Sequence, residues 1–253
     1  MSHTAYLAFA IAARVLTDIP LLAMFVLIHF GWRGEGGGKD ALWNAGLFAV
    51  WALLHSLLAR DAGRRVLSRW AGPDFVRVAY VVIAGVTLAI LLLAWRPISG
   101  ELWHATGVPA WVLGALYVGS LAALVYVTTR FDYDEFLGLR RLKSRFTGTP
   151  TRPPALSVDG PYGHCRHPMY LAMLVAFWVG PVMSLGRMEF VALSTLYLFV
   201  GLRLEEGNLR QELGPEYDLY RANVPMLVPR LTPWRGPVRG AGAPPNVEAG
   251  ASS

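Results

Sequence analysis

The stretch GHCRHPMYL (Gly163–Leu171) sets two imidazoles and a guanidinium, those of His164, Arg166 and His167, against the start of Pro168–Gly186, an apolar run without a charged residue. Further on, LRLEEGN places Glu205 and Glu206 side by side. A guanidinium and an imidazole near two carboxylates can hold a charged ligand and exchange a proton. Tyr162 and Tyr170 add aromatic faces that suit a cation. Each group taken alone has a plainer explanation. Proline belongs in the first turn of a helix, arginines at a membrane snorkel to headgroups, and paired acids are common on solvated helices. The chemistry therefore depends on whether the chain brings the two groups together.

Composition names the elements that must do so. Of 253 residues, 54% are hydrophobic and 16% charged, where a soluble domain carries about a quarter charged residues. Ala41–Ala59, Val78–Trp95, Ala110–Thr129 and Pro168–Gly186 approach the roughly 20 apolar residues a membrane helix needs. Ala5–Phe30 is a fifth span, interrupted by Arg14, Asp18 and Pro20; Arg14 and Asp18 share a helix face and could pair. Phe190–Leu202 is a shorter sixth, a full span or half of a re-entrant hairpin. The predicted fold is an all-α, multi-pass membrane bundle of five to six helices with a C-terminal cytoplasmic interfacial helical segment.

A turn at about Leu185–Glu189 would make the last two apolar segments an antiparallel hairpin. That hairpin returns Arg166–His167–Pro168 and Leu204–Glu205–Glu206 to one surface. Beyond it, Leu202, Leu209 and Leu213 recur near helical spacing, which predicts a segment lying along the membrane surface. Gly214 offers a stop and Pro215 a restart.

Loops around 60–77 and 130–167 and the segment from Arg203 hold 18 of the 23 Lys and Arg residues, against 4 in the alternate loops. By the positive-inside rule the first set is cytoplasmic, with both termini, in a cytoplasmic (inner) membrane. The net charge of +6 is thus an orientation signal and not a mark of nucleic-acid binding. The single Cys165 excludes an internal disulfide framework. A cleavable signal peptide is not expected, because Arg14 and Asp18 break the first apolar stretch. The predicted regions are 1–150, the N-terminal helices and basic loop; 151–235, the motif-bearing region; and 236–253, a disordered Gly/Pro/Ala/Ser tail.

The segment from Gly160 to Pro225 resembles the C-terminal signature of the isoprenylcysteine carboxyl methyltransferase and phospholipid methyltransferase superfamily. Gly160, Tyr162, Arg166, His167, Pro168, Tyr170, Glu205, Glu206, Gly214, Tyr217, Tyr220, Val224 and Pro225 fall on it. LLHSLLAR (Leu53–Arg60), AWRPISGELW (Ala94–Trp103) and FDYDEFLGLRRL (Phe131–Leu142) are similar to its methanethiol S-methyltransferase, NnrU-like branch, although Tyr133–Asp134–Glu135 interrupts the last.

The resemblance implies S-adenosylmethionine as methyl donor, bound without a glycine-rich nucleotide loop. It implies a donor site drawn from Gly160, Tyr162, His164, Arg166, His167, Pro168, Tyr170, Glu205, Glu206, Tyr217 and Tyr220. Arg166 or His167 would hold the donor's carboxylate, the glutamates its amino group or ribose. Arg166, His167 and Glu206 are the catalytic candidates. A thiol acceptor must lose its proton, and His167 or a glutamate could take it. The implied acceptor is a small thiol, methanethiol or hydrogen sulfide; a prenylcysteine-type carboxylate or a lipid amine is the alternative. The sequence specifies no oligomeric state and no metal site.

Two readings come from other classes. The branch is also similar to zeta-carotene isomerase, which would make His55 with His164 or His167 axial haem ligands. A non-catalytic accessory protein associated with denitrification would bind neither ligand. Cys165 reads as a small interfacial residue, Asp132, Asp134 and Glu135 as solvated charges, and His29 and His104 as interfacial.

Overall fold

The computed structural model describes residues 3–30, 32, 34–130, 133–147, 156 and 158–236. Asp132, most of the 148–157 loop and the tail after Gly236 lie outside these. The helices are α1 (His3–Phe30), α2 (Gly38–Ala59), α3 (Asp61–Ala71), α4 (Val76–Ala94), α5 (Gly107–Thr128), α6 (Tyr133–Leu137), α7 (Leu139–Thr147), α8 (Pro168–Trp178), α9 (Leu185–Leu213) and α10 (Pro215–Asn223). Two short strands, β1 (Glu101–His104) and β2 (Val182–Ser184), pair antiparallel.

Among the described residues, five helices are long and apolar enough to cross a membrane: α1 from Tyr6, α2, α4, α5 and α9. Their outward residues are those a soluble protein would hide. Leu93 is 87% exposed and Trp111 81%, a surface that calls for lipid. The protein is an all-α, multi-pass membrane bundle.

The last two apolar segments differ from the sequence expectation. α8 stops after Trp178, so Pro168–Gly186 is not one span. The physical reason is Gly180–Pro181: proline cannot continue the ladder and biases the residue before it away from helix. The expected turn at Leu185–Glu189 is instead the first turn of α9, and Phe190–Leu202 is the middle of that long helix.

The chain divides into two compact units, Met1–Pro150 with Met169–Leu202, and Thr151–Pro168 with Arg203–Ser253. In the first, Phe25, Ile28, Trp32, Leu91, Phe177 and Phe190 form the centre of an aromatic-rich core. Gly85 lets α4 approach α1 closely, since a Cβ there would lie 2.2 Å from the Leu16 carbonyl oxygen; small residues at such crossings are usual in membranes.

Several polar groups inside this unit are matched by partners distant in the chain. The Asn44 amide donates to the Arg96 carbonyl (2.8 Å) and to Glu189 (3.0 Å) and accepts from the Arg96 amide (2.9 Å). Arg187 is fully buried and donates to the carbonyls of Phe177 (3.1 Å), Val179 (2.7 Å) and Val182 (2.7 Å). Its guanidinium thus caps the Phe177 carbonyl in the last turn of α8 and holds the carbonyls of Val179 and Val182 just beyond it. Arg14 and Asp18, expected to pair with each other, each meet the region after α5. Arg14 binds Asp134, which is therefore not a purely solvated charge, and Asp18 accepts from the Tyr133 hydroxyl.

Candidate active site

The second unit is built from the loop before α8, the C-terminal end of α9, α10 and the segment that follows. α9 runs unbroken to Leu213; Gly214, at φ 58°, ends it, and Pro215 opens α10, as the sequence indicated. No separate surface helix begins at Arg203. Leu209 and Leu213, read as membrane-facing, pack on Tyr217, Tyr220, Val224 and Trp234, the core of this unit. The helical period was right and its buried side was not lipid.

Glu206 is the centre of the unit's polar network. Arg166 grips it with two hydrogen bonds, Nε to Oε1 at 2.8 Å and Nη2 to Oε2 at 2.7 Å. His167 Nε2 lies 2.7 Å from Oε1, and the Tyr217 hydroxyl donates to the same oxygen at 2.7 Å. Arg221 Nε stands 3.6 Å from Oε2. The side chains of Arg166, His167 and Glu206 are only 7%, 4% and 10% exposed. A buried carboxylate is tolerable only with this degree of pairing. Burial opposes the charge on Arg166, but the Glu206 carboxylate more than offsets this and raises its pKa. Burial, then the Glu206 charge, raises the Tyr217 pKa, keeping its proton in place to donate.

The remaining donors of Arg166 reach backward. Nη1 donates to the carbonyls of Arg221 (3.2 Å) and Val224, so four of its five N–H groups are engaged within the unit. The chain after α10 is stitched to the loop before α8. The amides of Arg166 and His167 donate to the carbonyls of Pro225 (2.9 Å) and Met226 (3.1 Å). Those of Arg230 and Trp234 donate to His164 (3.0 Å) and Gly163 (2.9 Å). His164 Nδ1 lies 2.8 Å from the Arg230 carbonyl oxygen, and the Tyr220 hydroxyl donates to the Tyr162 carbonyl at 2.7 Å. Gly163 makes room for this strap: a Cβ would meet the Trp234 carbonyl oxygen at 3.0 Å.

Of the sequence candidates, Arg166, His167, Glu206 and Tyr217 meet directly. Gly160 and Tyr162 form the 3-10 turn that leads to them, with Gly160 at φ 58°, and Pro168 opens α8. Burial and then the Glu205 carboxylate raise the Tyr162 pKa. Tyr170 lies on α8 within the first unit. Cys165 is buried, not interfacial, and burial pushes its thiol up to about 11, which removes it as a nucleophile at neutral pH. Sequence reading missed Arg221, Arg230 and Trp234. Their signal was the spacing of Pro225, Pro229 and Pro233, which prescribes an extended strap.

The three histidines of the haem reading are otherwise engaged. His55 Nε2 lies 2.8 Å from the Tyr80 hydroxyl in the first unit, and its ring stacks on Trp51. His164 and His167 serve the strap and Glu206 in the second.

A multi-pass membrane bundle carrying a buried Arg–His–Glu–Tyr network is the class that fold and site define. Comparison with known proteins then gives its kinship. The chain is 36% identical over 195 residues to methanethiol S-methyltransferase 2 of Bradyrhizobium diazoefficiens, covering 77% of this chain and 75% of that one. It is 33% identical over 193 residues to methanethiol S-methyltransferase of Mycobacterium tuberculosis, covering 76% and 79%. Nurim of Sus scrofa is 29% identical over 180 residues, covering 66% and 67%. No family model and no solved structure matches. The chain belongs to the methanethiol S-methyltransferase family, whose members are methyl-transferring enzymes.

Proposed function

We propose that this protein is an S-adenosylmethionine-dependent methyltransferase of the cytoplasmic membrane, both termini inside, that methylates a small thiol, methanethiol first and hydrogen sulfide second. The observation that carries the reading is its identity to enzymes named for that reaction along three quarters of their length. The haem and accessory readings have no comparable support.

The residues present fit such a donor. Glu205, whose charge is felt at Tyr162 in the same unit, supplies a carboxylate and Tyr162 an aromatic ring, the group types that a sulfonium or ammonium cation calls for. When bound, S-adenosylmethionine supplies an electrophilic methyl group on a positively charged sulfur. His167 is the group proposed to take the thiol proton. Glu206 holds its Nε2 side (2.7 Å) and so orients the ring and stabilises the imidazolium formed. Arg166, with four of its five N–H groups on Glu206 and backbone carbonyls, is assigned to positioning: it locks the strap against Glu206. The sequence expectation placed the donor's carboxylate on Arg166 or His167; Arg166 is assigned to the strap instead. Tyr217 completes the cage around Glu206. Such a site gains chiefly from alignment and exclusion of water, because methyl transfer is a direct displacement.

The test is a headspace assay of purified protein with S-adenosylmethionine and methanethiol, beside calorimetric binding of S-adenosylhomocysteine. Dimethyl sulfide formation is expected. A methyl ester or a methylated lipid as the sole product would transfer the reading to the carboxyl or phospholipid branch. Absence of binding in folded protein would end the donor assignment.

A further inference from the structure

α3 lies between two membrane-length helices but is itself short, basic and amphipathic. Leu67 faces the bundle at 8% exposure. Gly63 presses the helix onto the end of α2, for a Cβ there would stand 2.3 Å from the Leu57 carbonyl oxygen. The Arg64 side chain is tied down as well, its Nε donating to the Ala59 carbonyl at 3.0 Å. The helix is therefore held in place, and what its outer side presents is not accidental.

That outer side is ordered around the helix. At 100° per residue, the row next to the buried Leu67 is Val66 and Trp70, four apart on one face. They are 51% and 89% exposed. The next row round is Arg65 and Arg69, again four apart, both exposed. Among the described residues neither guanidinium has an ion-pair partner, and Asp61 is the one acid of the helix against three arginines. Core, then exposed aromatic, then unpaired cation is the sequence of environments met on leaving a bilayer: hydrocarbon, interface, headgroup. Tryptophan prefers the middle layer, and arginine binds phosphate with a planar fork of donors.

We propose that α3 is an anionic-lipid binding helix, with Trp70 and Val66 in the interfacial layer and Arg65 and Arg69 on the phosphates of anionic phospholipid headgroups. Charge complementarity selects this occupant, since a zwitterionic headgroup offers no net charge to two unpaired guanidiniums. The proposal is independent of the methyltransferase reading.

The experiment uses the full chain in nanodiscs, with Trp70 fluorescence taken as wild type minus Trp70→Phe. Brominated phosphatidylglycerol is expected to quench that difference signal at least about twofold more than brominated phosphatidylcholine, with the preference lost at high salt and in Arg65→Gln/Arg69→Gln. Equal quenching by the two lipids would overturn the proposal. So would absence of quenching by either, which would mean that a protein surface covers the helix, or loss of the lipid preference on adding inorganic phosphate at a low fixed ionic strength, which would make free phosphate the ligand. Both variants change only exposed side chains, so a folded protein is expected and is checked by its melting temperature.

Discussion

The two units bury polar groups in opposite ways. In the first, apart from the exposed Arg14–Asp134 pair and the single bonds of Tyr133 to Asp18 and Asn44 to Glu189, the cross-links described are neutral or backbone-directed. His55 meets Tyr80, Ser56 meets Tyr197 at 3.2 Å, Asn44 clamps Arg96, and the buried Arg187 is answered by three carbonyl dipoles instead of a carboxylate. In the second, one carboxylate collects Arg166, His167, Tyr217 and, at longer range, Arg221. Neutral pairs serve as interhelical glue at modest energy. A desolvated charge network is costly unless complete, and its presence around Glu206 supports the proposal that the chemistry lies there.

The sharpest way to break this contrast is Glu206→Ala. It strands a buried guanidinium and unties the strap, with an expected loss of about 3–5 kcal/mol and of S-adenosylhomocysteine binding, read by melting and calorimetry. Glu206→Gln, which keeps the shape, is expected to fold better than the alanine variant yet remain inactive. Arg187→Met is next: removing the cap on α8 is expected to cost about 2–3 kcal/mol while leaving the ligand affinity of the folded fraction unchanged. Equal loss of affinity would erase the distinction between the units. Arg187→Lys is expected to rescue little, because an ammonium cannot span three carbonyls as a planar fork does.

Tyr217→Phe removes one of the bonds to Glu206 and should cost about 1–2 kcal/mol, read as a roughly tenfold fall in kcat/KM. The smallest effect is on pH. The Cys165 thiol is held protonated up to about 11 in the folded protein, whereas an unfolded thiol ionises near 8.5. The folded state therefore binds more protons in that window, and stability falls as pH rises from about 9 to 11. Cys165→Ala is expected to flatten that part of the curve in a pH series of melts.

Much of this was legible in the residues. Uncharged runs marked α2, α4 and α5, because burying a charge in hydrocarbon is prohibitive and the chain must avoid it. The Arg-His-Pro-x-Tyr and Glu-Glu spacing pointed to a cluster, and Gly214–Pro215 marked the stop and restart between α9 and α10. The segment Pro168–Gly186 was misread because absence of charge says that a residue may be buried, not that its backbone is helical. Gly180–Pro181 decides the latter. The leucines at 209 and 213 had the right period, but amphipathic periodicity does not distinguish lipid from a neighbouring core.

By itself, then, the sequence determined where helices could run, which residues could carry charge chemistry, and where α9 had to end, since these follow from local hydropathy and backbone conformation. Only the tertiary structure decided the partners: that Arg166 is consumed by Glu206 and the strap, that Arg14 meets Asp134 and not Asp18, and that Arg187 caps α8. A hydrogen bond depends on distance and direction between groups far apart in the chain, and spacing along the chain does not encode either.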